Sequence, residues 1–568
     1  MKRKEKPNDR KSKIHVTLED GRKREFPRGT KVAEIARVLG KKICREACAV
    51  FLDNRFTDLD TAVEESGQVR FVGLASRDGN RMYQRSLCFL LLAAVRDVYP
   101  DFKVIVHHSL CEGLYCELTT DHCQSVKRVV LTEADLGKIK RRMREWVEAD
   151  VPFVREEMGI EEGRQIFLRQ GHTEKADLLR YRADSVISVY QCGPYKEHFC
   201  GYLLPRTSCV KMFDLKLYPP GFILRYPDSR DPDRLPDFVD NPKLFRVFLE
   251  YGQWCKILGL DTVAALNEVV VSKGISEFVK IAEALHEKKI AQIADMITQS
   301  PTCPQVVLIA GPSASGKTTS CKRLAVQLRV NGYWPLLISL DDYFFDRAKT
   351  PLDETGRKDF ETIEAIDADL FNAQLRQLLS GRSVAVPRYS FHTGKRSKGQ
   401  TVCLDKGNIV IVEGIHAFNR RLTEAVPEGL KFKLYVSALT QLNLDNLNRI
   451  STSDTRLIRR IVRDSRSRGY EASETLVRWP SVRRGEEKNI FPYQEDADAI
   501  FNSALIYEYS ALKPYAEKAL LRVGRQSDSY SESRRLLYLL SYFLPIESAD
   551  IPSSSILREF IGQSSFDY

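Results

Sequence analysis

The 568-residue chain has no apolar run long enough to cross a bilayer. Its longest candidate, Leu87 to Val95, is bounded by Arg85 and Arg96 and falls far short of the ~20 residues a spanning helix needs. Paired cysteine spacing is missing as well: the thirteen cysteines are an odd number, and none sits in a C-x-x-C pair. That argues against a zinc knuckle or a disulfide framework, and reads as reduced packing thiols in a cytoplasmic protein without a membrane role. Residues 1–13, MKRKEKPNDRKSK, carry seven Lys or Arg and no apolar segment, so they are expected to form a disordered basic tail, not a secretory leader. Positive charge is what the chain has in excess: 87 Lys and Arg against 76 Asp and Glu give a net charge of +11. RNA and a polyanionic nucleotide are both suitable partners for such a surface. Length alone predicts about three to four domains.

The most informative stretch is VVLIAGPSASGKTTSCKRL, Val306 to Leu324. A short apolar strand leads into Gly311, Pro312, Ser313, Ala314, Ser315, Gly316, Lys317 and Thr318, which fit the pattern G-x-x-x-x-G-K-[ST], and a helix-like run follows through Thr319. The two glycines let backbone N–H groups curl around phosphate oxygens, and the helix N-terminus adds positive potential. Lys317 would reach the β- and γ-phosphates, and the Thr318 hydroxyl would ligate Mg²⁺. The motif predicts binding of ATP or GTP.

Two further apolar strands end in acids. PLLISLDDYFFD (335–346) closes on Asp341 and Asp342, and IVIVEGIHAF (409–418) carries Glu413. In an open parallel sheet the carboxyl ends of strands face the ligand crevice. Asp341 there could take a proton from an acceptor hydroxyl, and Glu413 could order Mg²⁺. Next, DTRLIRRIVRDSRSRGY (454–470) places Arg456, Arg459, Arg460 and Arg463 at helical spacing, followed by Arg466 and Arg468. This is the composition of a lid over phosphates, although helical spacing turns those arginines to different faces.

Upstream, Ile14 to Phe26 alternates apolar and polar residues around an Asp20-Gly21 turn, and an amphipathic stretch ends at Gly40. Hairpin, helix and further strands predict a small β-grasp domain over 14–75. Thr132 with Asp135 predicts a capped helix to Ala149. The Pro- and Asp-rich stretch 228–242 reads as a boundary, and 236–300 as a helical linker.

Several stretches resemble known families. Residues 14–75 resemble the TGS domain. Residues 76–235 resemble the second N-terminal domain of threonyl- and alanyl-tRNA synthetases, through FLLLAAVRDVYP and VYQCGPYKEHFCGYLLP. That domain carries H-x-x-x-H and C-x-x-x-H pairs, but the matching positions here are Arg85, Phe89, Gln191 and Tyr195. The resemblance therefore implies a scaffold with a degenerate editing site. Region 301–525 resembles the uridine kinase and phosphoribulokinase family. SLDDYFF places Asp341 at the catalytic position; KDFETIEAID places Phe360 and Glu361 against a nucleoside; PRYSFHTGKR places Tyr389, Phe391 and Arg396 beside its base. Glu361 stands where the family usually has Asp, and Gly394 where a histidine reads the pyrimidine edge.

The resulting expectation is a multidomain α/β and α+β chain: a β-grasp domain, a synthetase-like α+β domain, and a P-loop kinase with a parallel sheet flanked by helices. Residues 526–568 would pack as a C-terminal helical segment on the core or on a partner subunit of a homo-oligomer. The implied activity moves the γ-phosphoryl of ATP or GTP to the 5′-hydroxyl of a nucleoside, with uridine and cytidine as lead acceptors and purine nucleosides admitted by Gly394. Two alternatives stand beside it: a kinase for another small hydroxyl compound, and a nucleotide-dependent RNA-binding protein.

Overall fold

Alternation dictates the first element. Ile14, Val16 and Leu18 point one way along strand Lys13–Leu18 and are buried, while Lys13, His15 and Thr17 face outward. The computed structural model describes residues 13–568 except 123, 124, 303, 355 and 425, so the expected basic tail lies outside the described residues save for Lys13. The chain divides into two units. The first holds the residues up to Asp240 together with Asn443–Arg449 and Val523–Tyr542; the second holds Asn241–Leu442, Ile450–Arg522 and Phe543–Tyr568.

In the first unit, strands 23–27, 13–18, 67–72, 49–52 and 55–57 form a sheet in that order, with 13–18 and 67–72 parallel. Helix Val32–Leu39 buries Val32 and Ile35 in the same core, which completes the β-grasp arrangement. Helix Arg77–Val98 follows; its apolar run Leu87 to Val95 is entirely buried, so that run serves a protein core. Beside it lie an antiparallel sheet built around Gly113–His122 and helix Glu133–Glu148, which opens with the Thr132–Asp135 capping box.

At the positions where the synthetase resemblance would place ligands, this chain places packing and hydrogen-bonding groups. Phe89 is fully buried between Phe153 and Phe199, with ring centroids 5.7 and 5.5 Å away. Arg85 Nε donates to the Tyr202 carbonyl at 3.0 Å, Gln191 Nε2 donates to the Gly193 carbonyl, and the Tyr195 hydroxyl donates to Asp97. The late segment Asn443–Arg449 also belongs to this unit. Leu447 enters its core, and Asp445 lies 3.2 Å from the buried Lys175 ammonium, which Glu197 meets at 2.5 Å.

The second unit is built on a parallel sheet. Its strands are β1 (Val306–Ala310), β2 (Leu336–Ser339), β5 (Val410–Glu413), β6 (Lys431–Ser437) and β7 (Ala499–Asn502), in the order β2-β5-β1-β6-β7; the hairpin β3 (Val384–Ser390) and β4 (Lys395–Val402) stands apart from it. Strand β1 is buried along its whole length, as expected of a central strand covered on both faces. Helix α1 (Lys317–Val330) leaves the P-loop, and the predicted helical bridge forms as Ile275–Thr298 against it, with Arg323 donating to Glu287 at 2.7 Å. Helices α2 (Thr452–Arg463) and α3 (Ala472–Asn489) complete the unit around the site. No described helix is long and apolar enough to cross a membrane.

Candidate active site

Strand pairing brings the chemistry together. Ile309 of β1 and Ser339 of β2 both register with Glu413 of β5, so the P-loop and the two acidic strand ends leave the sheet at one edge. The loop's curvature comes from Ala314 (φ 57°) and Gly316 (φ 82°), both left-handed. A Cβ on Gly311 would lie 2.0 Å from the Val436 carbonyl oxygen, so only glycine lets β1 turn there.

Thr318 Oγ1 donates to Glu413 Oε1 at 3.3 Å, and Ser339 Oγ donates to the same oxygen at 3.1 Å. Burial and the neighbouring Asp341 charge raise the Glu413 carboxyl pKa, and Lys317 pulls it down. Lys317 Nζ rests on the Pro312 carbonyl at 3.2 Å. Hydroxyl and carboxylate oxygens grouped beside a phosphate loop are hard donors of the type that suits Mg²⁺. The two aspartates divide their roles geometrically. Asp342 Oδ1 accepts from the Tyr389 amide at 3.0 Å, whereas the Asp341 carboxylate takes part in no hydrogen bond or ion pair among the described residues.

The predicted lid arginines separate into two groups. Arg456 and Arg459 are buried, one on Glu486 and the other on Glu508, and they also contact the P-loop carbonyls of Ser313 and Ala314. Arg460 reaches forward, its Nη1 donating to Ser313 Oγ at 2.8 Å. Arg460, Arg463 and Arg468 converge on the single carboxylate of Asp464, at 3.2, 3.1 and 3.8 Å. Crowding by Arg463, with burial, lowers the Arg468 pKa to about 10. Three guanidinium groups on one acid leave a local positive excess suited to an anion.

The surroundings of Asp342 are aromatic. Phe344 packs against Phe360, Tyr389 and Phe391 with centroids 6.1, 5.6 and 6.1 Å away, and Tyr389 meets Phe391 edge-on at 5.1 Å. Arg468 lies over Phe391 at 4.9 Å. Glu361 is pushed up to about 7 by burial, while the Arg460 charge works against that shift. Arg396 turns away: its Nη1 donates to Asp367 at 2.9 Å and its guanidinium covers Phe345.

Some participants went unseen in the sequence. Phe344 and Ser339 sit in quoted motifs but carry no individual signal. Glu486 is one of many charged residues on a helix. The segment after Phe543, expected only to pack on the core or on a partner subunit, reaches the P-loop helix. Thr319 Oγ1 donates to Glu559 at 2.6 Å, Tyr568 OH lies 2.8 Å from the same hydroxyl, and Ile556 occupies the space beside Gly316.

A central P-loop on a parallel sheet, acidic strand ends and an arginine-rich helix define a P-loop kinase fold. Residues 306–506 match the family model described as the phosphoribulokinase/uridine kinase family. A solved chain described as a possible uridine kinase from Bacillus stearothermophilus is 22% identical, covering 38% of this chain and 97% of that one, with a TM-score of 0.27. The N-terminal and middle region matches threonine–tRNA ligases. That of Symbiobacterium thermophilum is 31% identical over 205 residues, 36% of this chain and 30% of the relative. That of Halorhodospira halophila is 31% identical over 201 residues, 35% of this chain and 30% of the relative. The chain thus spans about 30% of the length of these curated relatives.

Proposed function

We propose that the protein is a nucleoside kinase that transfers the γ-phosphoryl group of ATP or GTP to the 5′-hydroxyl of a nucleoside. The observation that carries this reading is the uncommitted carboxylate of Asp341 beside Asp342, whose Oδ1 accepts the Tyr389 amide and so ties the aromatic set to the strand end next to the P-loop strand pair. Asp341 accepts the proton of the attacking hydroxyl, and the aromatic rings border the base. The P-loop residues Gly311 to Thr319 hold the triphosphate, and Lys317, Arg460, Arg463 and Arg468 balance charge that spreads over the transferred group. Thr318 and Glu413 are the residues that hold Mg²⁺, which neutralises phosphate charge when bound. Glu361 stands to accept from the ribose hydroxyls.

Sugar phosphates suit this site less well, because the acceptor wall is lined by rings. The front half's likeness to proteins named threonine–tRNA ligases supports RNA as its ligand, an affinity that would weaken steeply with added salt. The deciding experiment incubates purified protein with Mg²⁺, ATP or GTP and a nucleoside panel, and looks for nucleoside 5′-monophosphate. Lys317→Ala should lose about 10²-fold or more in turnover while keeping its fold. Near-normal turnover in that variant would remove the P-loop from the reaction.

A further inference from the structure

We propose that Arg347 reads the acceptor's base, so that the site favours nucleosides presenting a ring carbonyl (inosine, guanosine, uridine) over those presenting an exocyclic amine in its place (adenosine, cytidine). This rests on the nucleoside kinase reading above. The starting point is Gly394, which supplies no side chain for base recognition. Its backbone is left-handed, at φ 69°, and a Cβ there would lie 2.7 Å from Arg347 Nε and 3.0 Å from Arg347 Cζ. The space a side chain at 394 would use is therefore filled by the guanidinium of Arg347.

Arg347 is fixed in that place. Its backbone amide donates to the Gly394 carbonyl at 2.8 Å, and its Nη2 donates to the Phe391 carbonyl. It also neighbours the Tyr389 phenol, whose pKa burial raises and Arg347 lowers. Both rings belong to the aromatic set, so the guanidinium borders the surface on which a base would stack. Charge accounting separates it from the other arginines nearby. Arg396 is paired with Asp367 and Arg468 shares Asp464, whereas Arg347 forms no ion pair among the described residues. It is half-buried, so its unused donors are available to a ligand at modest desolvation.

A guanidinium has five N–H donors and no acceptor. Stacking on rings tolerates any base, so discrimination must come from a polar group that the wrong ligand leaves unpaired. Two neighbouring N–H groups match the O6 and N7 acceptors of a 6-oxopurine, and one matches the O4 of uracil. An amine at the same place sets donor against donor and leaves both unsatisfied.

The test measures kcat and KM for inosine, guanosine, uridine, adenosine and cytidine in the wild type, Arg347→Met and Arg347→Lys. Binding of a fluorescent ATP analogue monitors the fold of each variant. The expected result is a wild-type preference for the carbonyl set, collapsing about 10- to 100-fold in Arg347→Met and carried mainly by KM, with partial recovery in Arg347→Lys. An active enzyme whose carbonyl-to-amine ratio is unity, is reversed, or is unmoved by Arg347→Met overturns this inference alone. A wild type that phosphorylates none of the five overturns the nucleoside kinase reading and this inference with it.

Discussion

Glu486 grips Arg456 through both carboxylate oxygens, at 2.5 and 2.8 Å, and neither side chain is more than 1% exposed. Its Oε1 also accepts the Ser313 amide at 2.9 Å, so one acid joins helices α2 and α3 to the P-loop. Glu486→Gln strands a buried guanidinium, a change that typically costs about 3–5 kcal/mol. The expected outcome is a lower denaturant midpoint and weaker nucleotide binding. Adding Arg456→Met should restore part of the stability. A single variant as stable as the wild type would show that water reaches this pair.

The neighbouring aspartates should fail differently. Asp341→Asn is expected to lower kcat by about 10²- to 10⁴-fold while nucleotide affinity holds, because an amide cannot accept the hydroxyl proton. Asp342→Asn should act mainly on stability, since its carboxylate secures the Tyr389 amide. A larger kcat loss at Asp342 would exchange the two roles.

Glu361 links the site to pH. Its carboxyl keeps a proton up to about 7 in the folded chain, against 4.5 as its ordinary value. The folded state therefore binds more protons than the unfolded state between those values, and this group's effect is to reduce stability as pH rises from 4.5 to 7. Glu361→Gln should melt a few degrees above the wild type at pH 8, worth about 1–2 kcal/mol after allowance for its partial exposure, with the gap closing towards pH 4.5. Parallel melting curves across that range would count against the assignment.

Glu559 sets a carboxylate 2.6 Å from Thr319 Oγ1, in the first turn of α1, and its charge helps to raise the Glu413 pKa. A triphosphate brings further negative charge to the same helix end. Glu559→Gln keeps an acceptor for Thr319 but drops the charge, so the KM for ATP should fall severalfold. An unchanged or higher KM would mean that the carboxylate does not face the bound nucleotide.

Local patterns made much of this legible. The P-loop announces itself because its backbone needs two glycines, one lysine and one hydroxyl at fixed spacing. Asp341 and Glu413 are readable because parallel strands end at a shared edge. Pairing across distance is different. Nothing in the arginine-rich run distinguishes Arg456 and Arg459, which turn inward to buried acids, from Arg460 and Arg468, because their partners Glu486, Glu508 and Asp464 lie on other elements or one turn away. The loss of a side chain at Gly394 was visible, but its replacement by Arg347 was not, since 47 positions separate two residues that only the hairpin brings together.

The buried ammonium of Lys175 has a bearing on how the polypeptide is made. One of its two acids, Asp445, and much of the rest of the first unit's late material, Val523–Tyr542, emerge from the ribosome long after residue 240. At roughly 5–20 residues per second, those last strands of chain follow residue 240 by about 15–60 s. The front half cannot finish folding in the order of its synthesis. It must wait, incompletely packed, for pieces encoded on either side of the arginine-rich helix, so its last packing steps are tied to completion of the chain.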